Sequence, residues 1–188
     1  MNILRKDQVS LAPASLDPKL VHFLQDLRNN PLVAHQLISR SCISAEYKIE
    51  DWIKHKTRDP LRESLLVINL TSNEEGDDPV GYVTYLIEDQ ITRVASLGLC
   101  VGTQYQGQGI GSKAIELLLN YLSNVLCVSK FTFTSLESNL ASRKLFAKFG
   151  FEEVGILKRH FLSFGSFHDV IIGEKVPENS LFPENDQP

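Results

Sequence analysis

Apolar residues recur along this chain at two spacings, and the alternation between them marks out the elements. Val9 to Ala12 is a short apolar run closed by Pro13, which predicts an edge strand. Ser15 or Asp17 can then cap a helix with Pro18 near its first turn. Leu20, Val21, Phe23, Leu24 and Leu27 follow at helical spacing, and Arg28-Asn29-Asn30-Pro31 ends the run. A second short helix is expected over Leu32 to Ser39. A third is capped by Ser44 and runs from Ala45 to His55, carrying Tyr47, Ile49, Trp52 and Ile53. The pattern then changes period. Ser64 to Leu70 is almost continuously apolar, as a strand covered on both faces would be. Thr71 to Asp78 is polar and reads as a loop with a turn near Glu75-Gly76-Asp77. Pro79 to Ile87 and Val94 to Val101 are strands, separated by a turn at Glu88-Asp89-Gln90.

The strongest helical signal comes next. Ile110, Ala114, Leu117, Leu118, Tyr121 and Leu122 form one stripe, with Lys113, Glu116 and Asn120 on the other side. Val128 to Thr134 alternates as a strand. Ser138 to Lys148 reads as a helix capped by Ser138 or Asn139, with Gly150 at the C-terminal glycine position. Phe151 to Leu157 and Phe167 to Lys175 complete the strands. The pattern shows no repeat and no dividing linker, so one α/β domain over residues 1–176 is expected, with a polar, disordered tail at 177–188.

Composition narrows the function classes. Of 188 residues, 43% are hydrophobic and 22% charged, ordinary for a globular chain. A net charge of −4 argues against a nucleic-acid partner. No apolar run approaches the ~18 residues of a membrane span, and the first sixteen residues lack a signal-type apolar core. Cys42, Cys100 and Cys127 have no metal-site spacing and read as reduced thiols of a cytoplasmic protein, so no metal is expected.

Between the Val94–Val101 strand and the amphipathic helix lies Gln106-Gly107-Gln108-Gly109-Ile110-Gly111. Glycines there let the backbone approach a ligand and adopt positive φ. The helix that starts at once offers unpaired amides and the positive end of its dipole, a site for a phosphate. The P-loop pattern fails because Ser112-Lys113 follows Gly111. The dinucleotide pattern fails because the spacing is GxGxG, late in the chain. A third pattern, [Q/R]xxGx[G/A] after a strand, fits at Gln106, Gly109 and Gly111. A glycine-rich turn with no ligand stays open on those six residues alone.

Asn139 to Phe151, NLASRKLFAKFGF, resembles the second signature of the GNAT N-acetyltransferases, and QGQGIG precedes it at that family's spacing. The ending EEVGILKRHFLSFGSFHDVIIGEKV, with Gly155, Lys158, Gly165, His168, Asp169 and Val170, is similar to the branch of ribosomal-protein N-terminal acetyltransferases and their amino-sugar and spermidine relatives. Arg28-Asn29-x-Pro31 is similar to that branch as well.

The resemblance implies a mixed, mostly antiparallel sheet, splayed at an acetyl-CoA site and flanked by helices. It implies acetyl transfer from acetyl-CoA to a primary amine and a possible homodimer. The strand Leu97 to Val101, with Leu99 and Val101 as contact positions, would bond the pantetheine arm. Gln106, Gly107, Gln108, Gly109, Ile110, Gly111 and Ser112 would hold the pyrophosphate. Asn139 would bond the pantetheine or sit near the thioester, unless it is a plain helix cap. Ser142 would lie near the coenzyme sulfur, unless it is a solvent-facing helix serine. Arg28, Trp52 and His168 are the candidate acceptor contacts.

The same comparison exposes gaps in the acid–base set. Ser96, Phe146 and Phe161 stand where relatives carry Glu, Tyr and Glu. What remains for proton transfer is His160 in a loop-like stretch, His168, Asp169, Glu137, or ordered water. His160 and Ser142 are therefore the catalytic candidates, with a surface histidine as the competing reading of His160. The expected acceptor is a protein N-terminal α-amine, with an amino sugar on a nucleotide carrier second; Arg28, Arg40 or Lys54 would meet its diphosphate. Spermidine has only Glu46, Glu50 and Asp51 in its favour. A non-catalytic acyl-CoA-binding module is the alternative of another class.

Overall fold

The computed structural model describes residues 4–38, 45–72, 76–89 and 91–177. Among these residues eight strands form one sheet: β1 (Leu4–Lys6), β2 (Val9–Pro13), β3 (Glu63–Ser72), β4 (Gly76–Ile87), β5 (Val94–Val101), β6 (Lys130–Leu136), β7 (Glu152–Ser163) and β8 (Ser166–Lys175). Their order is β1-β2-β3-β4-β5-β6-β8-β7. Every pairing is antiparallel except β5 with β6. Among the described residues five α-helices flank it: α1 (Pro18–Asn29), α2 (Pro31–Ala34), α3 (Glu46–Lys56), α4 (Ile110–Asn124) and α5 (Leu140–Lys148).

Both faces of the sheet are covered, which explains the continuous apolar run of β3. Leu65 and Val67 join Leu24 of α1 and Ile49 and Ile53 of α3 on one face. Leu66 and Ile68 join Ile115 and Leu118 of α4 on the other. That second face also holds Phe131, Phe133, Phe146 and Phe151, with Phe133 and Phe146 stacked at 4.1 Å. Gly173 of β8 makes room for this stack: a Cβ there would lie 2.1 Å from the Phe133 ring.

The fork in the sheet decides where a ligand can sit. β5 and β6 pair only from Val94↔Lys130 to Leu97↔Phe133. Beyond Leu97, β5 keeps only β4 as its partner, while β6 continues on β8 through Thr134, Ser135 and Leu136. The backbone of Gly98 to Val101 therefore turns one edge toward an opening.

Several expectations need correction. The Val9–Ala12 run is not an edge strand, because Leu4–Lys6 pairs outside it through a two-residue turn in which Asp7 has φ 52°. Two charges in three residues hid that short strand. The polar Thr71–Asp78 segment is a hairpin rather than a loop, with Thr71↔Asp77 and Ser72↔Gly76 in register. Its polar pairing is explicit, since Asp77 accepts from Thr71 Oγ1 at 2.7 Å and from Arg5 at 3.1 Å. The second helix ends at Ala34, short of Ser39. Ser39, Arg40, Cys42 and the Ser44 cap lie outside the described residues, as does the tail beyond Pro177. His160 is not in a loop but in β7, where the pairing with β8 skips from Leu157 to Phe161. The irregularity is pinned by Asp169, which accepts from Lys158 Nζ and from the Arg159 amide, each at 2.7 Å. These bonds hold the Asp169 carboxyl below its usual value.

Candidate active site

The fork opens a cavity of about 750 Å³ between the α1–α3 side of the molecule and the α4–α5 side. At one end lies the glycine turn. Gly107 and Gly109 sit at φ 75° and 79°, a region that L-residues avoid, and a Cβ at either would meet nothing within 4 Å. Glycine is needed here for conformation, and the space beside it is open, as a cradle for a ligand requires. Gly109 caps α4 with no side-chain bond, and the first turn carries no acidic residue. The α4 amides thus face the cavity end without an internal partner. Gly111 serves packing instead: a Cβ there would lie 3.3 Å from Leu99 and 3.6 Å from Leu145. The glutamine side chains brace the turn, Gln106 Nε2 donating to the Val101 carbonyl at 2.9 Å and Gln108 Nε2 to that of Gln104 at 2.8 Å.

Of the expected cofactor residues, Leu99, Val101, Gln106, Gly107, Gly109, Gly111, Ser112, Asn139 and Ser142 line the cavity. Gln108 and the buried side chain of Ile110 do not; Ile110 points into the core under α4. Asn139 combines both readings made of it. Its Oδ1 accepts from the Ser142 amide at 3.1 Å as the cap of α5, and the residue lines the cavity, where its Nδ2 hydrogens are what it can offer a ligand. Phe146 also lines the cavity, so the position held by Tyr in relatives presents a ring with no proton to give.

At the other end α1 and α3 bring Arg28 and Trp52 together. The Arg28 guanidinium lies 4.5 Å above the Trp52 ring and donates to the Tyr82 hydroxyl at 3.1 Å. Tyr82 meets Trp52 edge-on at 5.2 Å and faces Cys100 across β4 and β5. Burial drives the Tyr82 hydroxyl well above its ordinary value and pushes the Cys100 thiol up to about 12. Both stay neutral and act as hydrogen-bonding groups rather than bases. Lys56 completes this wall, paired at 2.7 Å with Glu63. Tyr82 and Lys56 escaped sequence reading: one looked like a strand aromatic, the other like a surface lysine at a helix end.

Neither His160 nor His168 lines the described cavity. His160 is exposed on β7, the strand farthest from the fork on its side, with β6 and β8 between. His168 is half-buried, and its Nε2 lies 3.4 Å from the Ser163 carbonyl within the β7–β8 hairpin. Glu137 is exposed, and Asp169 is committed to the β7 irregularity; neither lines the cavity. Among the described lining residues there is no Asp, Glu or His, while Arg28, Lys56 and Lys144 all carry positive charge. The cavity can position an anionic ligand along exposed strand backbone, and its described lining offers no carboxylate or imidazole as a base. No group of three or more metal-ligating residues occurs among the described residues, and no helix there is long and apolar enough to cross a membrane.

Known proteins share this fold. Residues 32–151 match the acetyltransferase (GNAT) family. The L-amino acid N-acetyltransferase AaaT of Escherichia coli (strain K12) is 29% identical over 94 residues, 49% of this chain and 58% of that protein. The match therefore spans little more than half of that relative. Spermidine N-acetyltransferase from Vibrio cholerae, solved with CoA and spermine, superposes with a TM-score of 0.81 at 20% identity, over 94% of this chain and 100% of that one. Ribosomal-protein-S5-alanine acetyltransferase from Vibrio fischeri gives a TM-score of 0.79 at 18% identity, over 96% and 99% of the two chains. At such identities these two likenesses concern the fold. The family match covers most of the chain and includes both the glycine turn and the Asn139–Phe151 segment, so the chain belongs to the acetyltransferase (GNAT) family, whose acetyl donor is acetyl-CoA.

Proposed function

We propose that this protein transfers the acetyl group of acetyl-CoA to the primary amine of a small acceptor that also carries an oxyanion, a carboxylate or a phosphate. The observation behind this reading is the charge of the acceptor-side wall. Arg28 lines it beside Trp52 and Tyr82, Lys56 there is held by Glu63 at 2.7 Å, and the described lining contains no carboxylate. A polyamine such as the spermine bound by the Vibrio cholerae enzyme needs acidic partners, and this wall opposes it. An amino sugar on a nucleotide carrier fits, its diphosphate meeting Arg28. An amino acid, the acceptor named for the Escherichia coli relative, fits through its carboxylate. A protein N-terminal α-amine, first among the expectations from sequence, gives Arg28 nothing to meet unless an acidic side chain follows it.

In this reading the thioester, when bound, supplies the acetyl group, and the chain supplies position. The β5 edge and α4 amides hold the donor; the Arg28–Trp52–Tyr82 wall orients the acceptor. Placement of this kind is worth roughly 7–11 kcal/mol of barrier. Thiol release from acetyl-CoA, followed with nucleotide-linked amino sugars, amino acids, neutral-ended peptides and spermidine, tests it. The anionic amines are expected to have the highest kcat/KM. Preference for spermidine or for a neutral peptide would overturn the acceptor class. CoA binding with no turnover on any amine would return the protein to the acyl-CoA-binding alternative.

A further inference from the structure

A threonine at the fork has no place in the wall described above. Thr84 lies on β4 two residues from Tyr82, on the same face of the sheet and about 7 Å along the strand. Its partner on β5 is Gly98, the first residue past the last β5–β6 pair, Leu97↔Phe133. Both line the cavity. A glycine inside a strand gives up packing and is kept where something approaches closely. Here that is the threonine hydroxyl: a Cβ on Gly98 would lie 2.5 Å from Thr84 Oγ1 and 3.9 Å from Thr84 Cβ. The hydroxyl therefore lies over the β5 backbone at the point where the sheet opens. Among the described residues Thr84 Oγ1 makes no hydrogen bond.

Place makes that oxygen informative. With its phosphates at the α4 N-terminus and its arm along the free edge of Gly98 to Val101, the donor turns its acyl end toward the closed end of the fork, at Leu97 and Gly98. An acceptor held by the Arg28 wall reaches the same point from the α1–α3 side. Ser96, which stands where relatives carry Glu, does not line the cavity, because β5 is paired there on both edges, with Leu86 and with Thr132. Tyr82 already receives Arg28 and faces Cys100. On this face of β4 and β5, Thr84 is the side chain that offers the cavity an unbonded oxygen.

We propose that the Thr84 hydroxyl accepts a hydrogen bond from an N–H of the acceptor amine and so aims the nitrogen lone pair at the thioester carbonyl. The lone pair forms the C–N bond, and the C–S bond breaks with its electrons leaving on sulfur. The surplus N–H proton passes to water, and the thiolate takes a proton from water. Thr84 itself neither gains nor loses a proton, so the role suits a cavity whose described lining has no carboxylate or imidazole. Its contribution is orientation. The role rests on acetyl transfer to an amine, as proposed above, and not on whether that amine also carries an oxyanion.

Thr84→Val in the intact chain tests it, since valine keeps the β-branched shape and removes the oxygen. The variant is expected to melt with the parent and to keep its CoA affinity in calorimetric titration, while kcat falls about tenfold or more. The inflection of kcat/KM with pH should stay at the acceptor's own titration. Thr84→Ser, which restores the oxygen, should recover most of the rate. Gly98→Ala pushes the hydroxyl aside, so it should slow the parent protein and add little to Thr84→Val. A kcat for Thr84→Val within about twofold of the parent overturns the role, as does a serine variant as slow as the valine one or an inflection that moves. If Thr84→Val melts far below the parent, Gly98→Ala decides, and parent-like turnover there overturns the role. Acceptor preference is read separately. If the parent prefers spermidine or a neutral peptide and Thr84→Val slows that reaction, the Thr84 role stands and the anionic acceptor class falls. If anionic amines are preferred and Thr84→Val turns them over like the parent, the acceptor class stands and the Thr84 role falls. CoA binding with no turnover on any amine removes both.

Discussion

Gly109 separates the conformational role of the glycine turn from its role as a ligand cradle, and two substitutions there measure each. Its φ of 79° lies where an L-residue costs about 1–2 kcal/mol. A Cβ would meet nothing within 4 Å, so no steric cost adds to that. In a chain of 188 residues, each kcal/mol corresponds to roughly 2–4 °C of melting temperature. Gly109→Ala should therefore melt about 2–8 °C lower and keep CoA affinity within about tenfold of the parent, a limit of roughly 1.4 kcal/mol. Gly109→Trp carries the same backbone cost, but its indole must occupy the open space at the α4 N-terminus. Blocking the amides there should weaken CoA by more than about a hundredfold, roughly 2.7 kcal/mol, with a melting temperature close to that of the alanine variant. Differential scanning fluorimetry and calorimetric titration read the two quantities separately. Parent-like CoA affinity in the folded tryptophan variant would refute the cradle. A much larger loss of stability in the alanine variant would show that the turn is packed and not open.

The acid–base gap yields a kinetic signature. With Tyr82 and Cys100 both held neutral and no carboxylate or histidine among the described lining residues, kcat/KM should rise with pH along the acceptor amine's own titration. Acceptors of different amine pKa should shift the inflection in step; one common inflection would reveal an enzyme base. His160→Ala should leave rate and pH profile unaltered, as its exposed place on β7 requires; a slowed rate would return it to the site. Arg28→Met keeps much of the packing on Trp52 and should raise KM for anionic acceptors with little change in kcat, whereas equal loss for a neutral amine would make Arg28 purely structural. Gly173→Ala forces a methyl into the Phe133 ring and should destabilise by about 1–3 kcal/mol in chemical denaturation; an unchanged midpoint would contradict the stack. The Asp169 carboxyl titrates lower when folded, so its contribution is complete above its unfolded pKa and disappears as pH falls through the folded one. The stability gap between Asp169→Asn and the parent should accordingly shrink on acidification, and a gap that widened would reverse the assignment.

Features whose cause is local were legible in the chain. The α4 stripe, the glycines with positive φ, the cap at Asn139 and the double-sided burial of β3 depend on residues close in sequence, and residue spacing carries them. Short polar strands such as β1 and the Thr71–Asp77 pairing were hidden because their partners, not their composition, make them strands. His160 and His168 were chosen for their chemistry, and neither lines the described cavity. A histidine's titration is a property of the side chain, but its distance from the fork depends on strand order, and β6 and β8 separate β7 from β5.

The acceptor wall shows the same division most sharply. Arg28, Lys56, Tyr82 and Cys100 come from α1, α3, β4 and β5, and no spacing in the sequence connects them. The donor site could be read directly because a strand, a turn and a helix N-terminus are contiguous, and backbone amides bind phosphate whatever follows. The proposed acceptor wall forms only where separate elements converge. The chain order therefore contained the donor signature and the reaction family, and packing around the fork brought Arg28, Lys56 and Lys144 to one cavity.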